Sequence, residues 1–316
     1  MQRRSQTLAI IGTFTLDKLR PWRGRATEGF GGLYYSLMPL AGLLRRRDRI
    51  LPVARMGRDL RVPLQQVFDR FPSIHSDGLV FHDGPDNTVE SWYPEPDRRE
   101  EISLHVPRPL GVGDVQHVPE VDCLYLNCIS GRDITLGAMT ALRNRIGCPV
   151  YLDYHSMTLG LRTTGHRFRR YPKAWQQWTA LTDIVQFNQE EASLLGRQAV
   201  ETETDACRFA RIVFELGPRI VLLTLGRRGA WLFDGTPRKP ELIAPKLLAQ
   251  REDVPGCGDS FGAGFVAEYI LTGNAQAAVQ CGQYSASRVA MLGGSRRLAA
   301  LAADIDFRKP RRWRNP

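Results

Sequence analysis

No apolar run in the 316-residue chain reaches 18 residues, so nothing in it reads as a membrane span. Leu8–Ile11 follows the basic stretch Met1–Ser5 but is too short for the core of a signal peptide, and the chain reads as cytoplasmic. No Gly-Lys pair occurs, which removes a Walker A loop and with it the P-loop NTPases. Cysteines stand at 123, 128, 148, 207, 257 and 281; none form Cys-x-x-Cys and no histidine falls at zinc-finger spacing. Most lie in apolar stretches and read as buried thiols, so no zinc is expected. Lysine is scarce too, at positions 18, 173, 239, 246 and 309 only, so the net charge of +10 comes from arginine. The dense runs are Arg45-Arg46-Arg47 and the tail Arg308–Arg314. Such runs can meet nucleic-acid phosphates. The reading taken here is solvated surface that draws anionic substrates, with no nucleic-acid partner. Internal repeats and low-complexity segments are absent.

What is present suits one large α/β unit with a small appendage. Apolar residues make 43% and charged residues 24% of the chain, enough for a sizeable core. Thr7–Ile11 predicts a buried strand and Leu33–Leu44 a buried helix, with Pro39 suggesting a kink. Residues 18–30 predict a loop or short edge hairpin, Ile50–Ala54 a strand, and 60–71 a helix. Residues 78–106 hold three β-prone pieces split by Gly84-Pro85-Asp86-Asn87 and Pro94–Asp97, with no helix between them. They predict a flap set apart from the main sheet. From 121 onward, strands at 121–127, 149–153, 184–187, 220–225 and 230–233 alternate with helices. This rhythm predicts a doubly wound, mostly parallel α/β sheet with helices on both faces. In such sheets ligands bind at the carboxyl ends of strands.

Several chemistry-bearing residues fall at those ends. Asp17 lies just past the first strand, Gly31-Gly32 precede a helix, Asp153 ends a strand, Asn188 with Glu191 follows another, and Thr224-Leu225-Gly226 ends a fourth. Singly each has a plain structural explanation: Asn188 and Glu191 have capping-box spacing, and the glycines make turns. The richest segment is Asp253-Val-Pro-Gly256-Cys257-Gly258-Asp259-Ser-Phe, a glycine turn entering a helix. Its backbone N–H groups and the helix N-terminus suit an anion. Asp259 would be repelled there as a mere neighbour of phosphate. It makes sense as a base that takes a proton from an attacking hydroxyl, or else as an ordinary capping residue.

Taken in order, these pieces resemble the ribokinase-like (PfkB) carbohydrate kinase family over most of the chain, from Leu8 to about Leu292. Gly256-Cys-Gly258-Asp259-Ser-Phe is similar to the family's Gly-Ala-Gly-Asp-Ser/Thr-Phe element, with Asp253 at the preceding acid. Thr224-Leu-Gly226-x-x-Gly229 resembles its nucleotide-phosphate loop, and Asn188-Gln-Glu-Glu191 its Asn-x-x-Glu motif. Phe30-Gly31-Gly32 and Gly12–Asp17 resemble its sugar-site elements. The resemblance implies an ATP- and Mg²⁺-dependent kinase acting on a small alcohol. Asp259 is then the base, and the N–H groups of Gly256, Cys257 and Gly258 form an anion hole. Asn188 and Glu191 hold Mg²⁺ through water, and Thr224, Gly226 and Gly229 meet the nucleotide. Asp17, Gly31, Gly32 and Ser36 meet the acceptor. A monovalent cation and a homodimer through the lid are both compatible with it. Ser36 stands where many sugar kinases have Asn, Val254-Pro255 replace Thr-Thr, and Cys257 replaces Ala. The first two changes count against ribose or fructose as acceptor, while Cys257 supplies the same N–H as Ala.

The expected organisation is a core of 1–17, 31–77 and 107–305, a β lid of 18–30 and 78–106, and a basic tail at 306–316. The acceptor is expected to be a sugar, sugar derivative or polyol. The alternatives are a nucleoside kinase, with Tyr34 or Trp92 stacking on a base, and a catalytically idle family member that binds or regulates. His155, Arg162 and His166, in the polar stretch 154–171, have no assigned place.

Overall fold

The computed structural model describes residues 4–95, 98–235, 240–245, 255–292 and 295–303. Asp253, Val254 and the tail 306–316 lie outside the described residues.

The chain opens with β1 (Thr7–Ile11), a hairpin of β2 (Phe14–Arg20) and β3 (Thr27–Gly32), α1 (Tyr34–Leu43), β4 (Arg49–Gly57), α2 (Arg58–Phe68) and β5 (Leu79–His82). A second hairpin follows, β6 (Thr88–Glu95) and β7 (Arg98–Leu104), then α3 (Val112–Val115), β8 (Cys123–Asn127), α4 (Leu136–Arg145) and β9 (Val150–Asp153). A small hairpin, β10 (Leu159–Leu161) and β11 (Arg167–Arg169), precedes α5 (Trp175–Ala180), β12 (Ile184–Asn188), α6 (Gln189–Gly196) and α7 (Glu203–Phe214). The chain continues through β13 (Ile220–Thr224), β14 (Ala230–Phe233), β15 (Glu241–Ile243), α8 (Cys257–Thr272), α9 (Ala275–Leu292) and α10 (Leu298–Ala303).

Nine strands form one sheet in the order β15-β14-β13-β12-β9-β8-β1-β4-β5. Every pair from β13 to β5 is parallel, while β14 and β15 run antiparallel at one edge. Parallel strands need both faces covered, and their sequences show it. Leu8 and Ile10 of β1 face a core shared with α1, α8 and α9; Ala9 and Ile11 face one shared with α4 and α7. The chain runs outward from β1 to β4 and β5, then restarts at β8 and runs the other way. The β1/β8 boundary is therefore the topological switch point, where such sheets open a crevice at the strands' carboxyl ends.

A separate four-stranded sheet, ordered β3-β2-β6-β7, stands apart from this layer. It differs from expectation in two ways. Leu79–His82 does not join it; this piece extends the main sheet in parallel register with Ala54–Gly57 of β4. Its residues are apolar enough to pack Phe81 and Leu79 on the main core. Conversely, residues 14–17 and 31–32, expected in the core, pair within the small sheet. Asp17 is thus not past the end of a core strand. It lies inside β2, opposite Gly29 and Val89. The stretch 154–171 is also not a plain loop: β10 and β11 pair in it, and its tip joins β7 through an Ile102–His166 bridge and a 2.8 Å bond from Ser103 N–H to the Gly165 carbonyl. Arg45 is partly spent on structure, since its guanidinium pairs with buried Asp48 at 2.6 Å.

α1 is buried along its whole length and runs through Pro39 without ending. Proline lacks the N–H that would bond the carbonyl of Tyr35 four residues back. The Ser260 hydroxyl fills that place, donating to the Tyr35 carbonyl at 2.9 Å. The defect in α1 is thereby a docking point for the first turn of α8.

Candidate active site

The α8 turn begins at Gly256, whose backbone is left-handed at φ 86° and whose Cα faces the Tyr35 ring closely enough that a Cβ would overlap it. Both facts require glycine. The first helical bond runs from Ser260 N–H to the Gly256 carbonyl, so the N–H groups of Cys257, Gly258 and Asp259 stand outside the helical ladder. Gly258 is exposed, whereas Asp259 is only 5% exposed and its Oδ1 is buried with no hydrogen-bond partner.

The underside of this turn is pinned by side chains from several elements. The Ser36 and Tyr125 hydroxyls donate to the Asp259 carbonyl at 3.1 and 3.2 Å. Gln186 Nε2 donates to the Gly258 carbonyl at 3.2 Å and itself accepts from the Tyr151 hydroxyl. Asn127 Nδ2 donates to Ser36 Oγ at 2.6 Å. Ser36, expected to face the acceptor, is fully buried and committed to this support. A serine is shorter than the asparagine of the family pattern, and here its hydroxyl is consumed inside the fold.

Asn188 ends β12 beside Thr224, its register partner at the end of β13. Asn188 and Glu191 form a closed box. Asn188 N–H and Nδ2 donate to Glu191 Oε2 and Oε1 at 2.9 and 2.7 Å, and Glu191 N–H donates back to Asn188 Oδ1 at 2.8 Å. Burial pushes the Glu191 carboxyl up to about 7, with His155 pulling the other way. The Thr224 hydroxyl donates to the Phe187 carbonyl at 3.3 Å. Gly226 and Gly229 bracket a tight turn, closed by Leu225 N–H to the Gly229 carbonyl at 2.8 Å.

Asp153 ends β9 and is 3% exposed. Burial, then the nearby carboxylates of Asp259 and Glu191, hold its carboxyl well above the usual carboxylate range. Asp153 thus lies within electrostatic reach of both the α8 turn and the Asn188–Glu191 box. Beside that box lies a cavity of about 510 Å³, lined by His155, Arg167, Arg169 and Glu101 of β7. His155 and His166, unplaced by sequence, both line it, whereas Arg162 lies over the Phe168 ring instead. In the small sheet, Asp17 accepts from the Thr15 hydroxyl at 2.6 Å, and its carboxylate covers Gly31 so closely that a Cβ there would overlap it. Gly31 and Gly32 end β3 opposite Thr15 and Phe14. Tyr34 is buried against Phe30, so it offers no stacking face to a base; Trp92 is half-buried in a different cavity, with Lys18 and Glu90.

Residues 155–299 match the family described as pfkB family carbohydrate kinase. This stretch is similar to that family. It contains the α8 turn, the Asn188–Glu191 box and the Thr224 loop. Outside it, the fold carries the likeness. A ribokinase from Arabidopsis thaliana, solved with ribose and ATP, superposes with TM-score 0.71 at 18% identity, covering 95% of this chain and 99% of that one. A pyrophosphate-dependent kinase in the ribokinase family, solved with a pyrophosphate analog and myo-inositol, gives 0.73 at 18%, covering 93% and 99%. Mouse ribokinase is 34% identical over 94 residues, which is 30% of this chain and 28% of that protein. The matched stretches span 14%, 28% and 34% of the first three curated relatives. The PfkB stretch begins just past Asp153, so Asn127, Tyr125 and Asp153 fall outside it. Reasoning from sequence passed over Asn127, Tyr125 and Gln186; the available signal was that Asn127 ends a core strand.

Proposed function

We propose that the protein is an ATP-dependent kinase that moves the γ-phosphoryl group to a hydroxyl of a small sugar, sugar derivative or polyol. The observation that carries this reading is the buried Asp259 Oδ1, without a hydrogen-bond partner among the described residues, in the first turn of α8 directly after the left-handed glycine turn at Gly256. A carboxylate so placed accepts the proton of an attacking hydroxyl. The N–H groups of Gly256, Cys257 and Gly258 then stabilise the charge that develops on the transferring group. Thr224, Gly226 and Gly229 take the nucleotide phosphates, and Asp17, Gly31 and Gly32 take the acceptor. The Ser36 hydroxyl positions the α8 turn instead.

The Asn188–Glu191 box suits a hydrated divalent cation. Its oxygens are hard ligands, and Asn188 already bonds both Glu191 oxygens, which favours contact through water over direct ligation. Among the described residues no group of three acidic, histidine or cysteine side chains is arranged to hold a metal directly. Held there, Mg²⁺ would neutralise charge on the donor phosphates.

The test offers ATP, and separately pyrophosphate, with a panel of sugars, polyols and nucleosides, and measures donor consumption. Turnover with ATP and a sugar or polyol is expected, and Asp259→Asn should lose ~10²–10⁴ in kcat. Melting temperature and nucleotide affinity should stay near wild type. Near-normal kcat in that variant removes the base assignment. No turnover with any acceptor favours a binding protein.

A further inference from the structure

The chain passes between the main sheet and the small sheet at residues 12–13, 33, 83–87 and 105–111. The third of these passages carries a carboxyl group in an uncommon setting. Asp86 is 1% exposed, and no cationic side chain among the described residues pairs with it. Its carboxyl accepts instead from Gly57 N–H at 3.2 Å and from Asn87 N–H at 2.8 Å. Gly57 ends β4 of the main sheet, and Asn87 leads into β6 of the small one. Asn87 is also 1% exposed, and its carbonyl accepts from Leu16 N–H of β2 at 2.8 Å. One side chain thus ties the two sheets together. The linker rests directly on the end of β4: a Cβ at Gly57 would stand 2.7 Å from Asp86 N and 2.7 Å from the Gly84 carbonyl oxygen.

The groups around Asp86 do not offset a charge on it. From α2, the Asp59 carboxylate accepts the Asp86 N–H at 3.0 and 3.2 Å, which sets a like charge beside it. Arg58 of the same turn is exposed and paired with Asp83 at 2.8 Å. From β5, His82 Nδ1 accepts from Gly84 N–H at 3.1 Å. From β4, Arg55 is taken up by Asp114 at 2.5 Å. Burial, opposed by the Asn87 and Gly57 N–H groups and reinforced by Asp59, pushes the Asp86 carboxyl up to about 7. A buried carboxylate beside a second one is costly, and the cost is relieved by taking a proton or by leaving the site.

We propose that Asp86 is a pH-sensitive latch for the small sheet: holding its proton, it seats the 83–87 linker on the end of β4, and ionised, it favours release of that linker. A released linker ionises at the ordinary 3.8, so release expels a proton wherever the pH lies between that value and about 7. Within this window each pH unit shifts the balance about tenfold toward release, and above it the balance is level. The small sheet is therefore held most firmly in acid and is freest to move from neutrality upward.

Hydrogen exchange of the full chain without substrate tests the latch at pH 5, 6, 7 and 8. Rates are converted to protection factors, which removes the intrinsic pH dependence of exchange. Protection of the Gly57, Asp86, Asn87 and Leu16 amides should fall about tenfold per unit from pH 5 to 7 and change little from 7 to 8. These amides should stay less protected than those of β8 throughout, which marks a local opening rather than global unfolding. Asp86→Asn keeps the shape and removes the titration, so its protection should be level from pH 5 to 8. Asp86→Ser, also uncharged and able to accept a hydrogen bond, should behave alike if the first variant folds poorly. Level protection in wild type, the wild-type slope retained in either variant, or linker amides as protected as those of β8 overturns the proposal. Neither donor nor acceptor enters the measurement, so failure of the kinase reading leaves this result standing, and the reverse also holds.

Discussion

At the carboxyl edge of the sheet, Asn188 and Glu191 bond to each other through three hydrogen bonds, and neither has a buried side-chain polar atom without a partner among the described residues. A few strands away, Asn127, Asp153 and Asp259 each keep a buried oxygen that nothing in the described fold satisfies. On the proposed kinase reading the two clusters face different tasks. A site that organises an ion through water has to be rigid before the ion arrives, and mutual hydrogen bonds provide that. A site that recognises hydroxyls has to keep acceptors free, and the fold bears the cost until a ligand relieves it. On that reading, closure on one side and open valence on the other would separate the donor half from the acceptor half.

The sharpest way to break this comparison lies on the small sheet. On the proposed reading Asp17 adds a carboxylate to the acceptor side, buttressed by the Thr15 hydroxyl at 2.6 Å. Asp17→Ala should raise the acceptor KM roughly 10–100-fold, the worth of a hydrogen bond to a charged group. The KM for ATP should hardly move. Gly31→Ala should reproduce the effect by displacing the same carboxylate, because the new Cβ would overlap it. If the two variants instead raise the ATP KM, Asp17 belongs to the other half and the division fails.

A smaller effect sharpens the donor half. Burial holds the Glu191 carboxyl at about 7, against an ordinary 4.5. Between those values the folded chain keeps a proton that the unfolded chain has released, so stability falls as pH rises. The contribution is full below 4.5 and is lost as pH passes through about 7. Glu191→Gln removes the titration while keeping a side chain that still suits the capping position. Urea unfolding at pH 5, 6 and 7 should show wild type losing about 2 kcal/mol relative to the variant over that range. An equal slope in both proteins would mean that Glu191 is solvated, and the closed box would not be the rigid element described above.

The same contrast explains what could be read from sequence. Asn188 and Glu191 are three residues apart, and such local pairs leave a spacing that can be recognised. The Gly256–Asp259 turn and the alternating strands from 121 onward are equally local, and the ribokinase-like fold follows from them. Asn127, Asp153 and Gln186 meet only because three parallel strands place their ends side by side, and no spacing records that. The sequence pattern points Leu79–His82 to the lid because β-prone residues between turns look alike in either sheet. The choice was made by the partner strand, β4, and by packing on the main core. Ser36 shows a related limit: a residue's position in a motif says where it sits, while its burial under Asp259 decides what its hydroxyl can do.

Tyr125 offers the finest test, because it supports the acceptor side without belonging to it. Its hydroxyl is fully buried, donates to the Asp259 carbonyl at 3.2 Å and lies 3.3 Å from Ser36 Oγ. Tyr125→Phe deletes that donor and keeps the ring, which packs edge-on against Tyr151 at 4.9 Å. The Asp259 carbonyl keeps its bond from Ser36, so no acceptor is orphaned and the cost should be modest, ~1 kcal/mol of stability. The effect on catalysis should be of similar size, since the hydroxyl holds the Asp259 backbone and touches neither Asp259 Oδ1 nor the N–H groups proposed as the anion hole. A fall in kcat of less than about tenfold with unchanged acceptor KM is expected, read from steady-state kinetics beside a thermal melt. A large rise in acceptor KM would show that the Tyr125 hydroxyl turns toward the ligand. The boundary between supporting and recognising side chains would then have to move one layer deeper into the sheet.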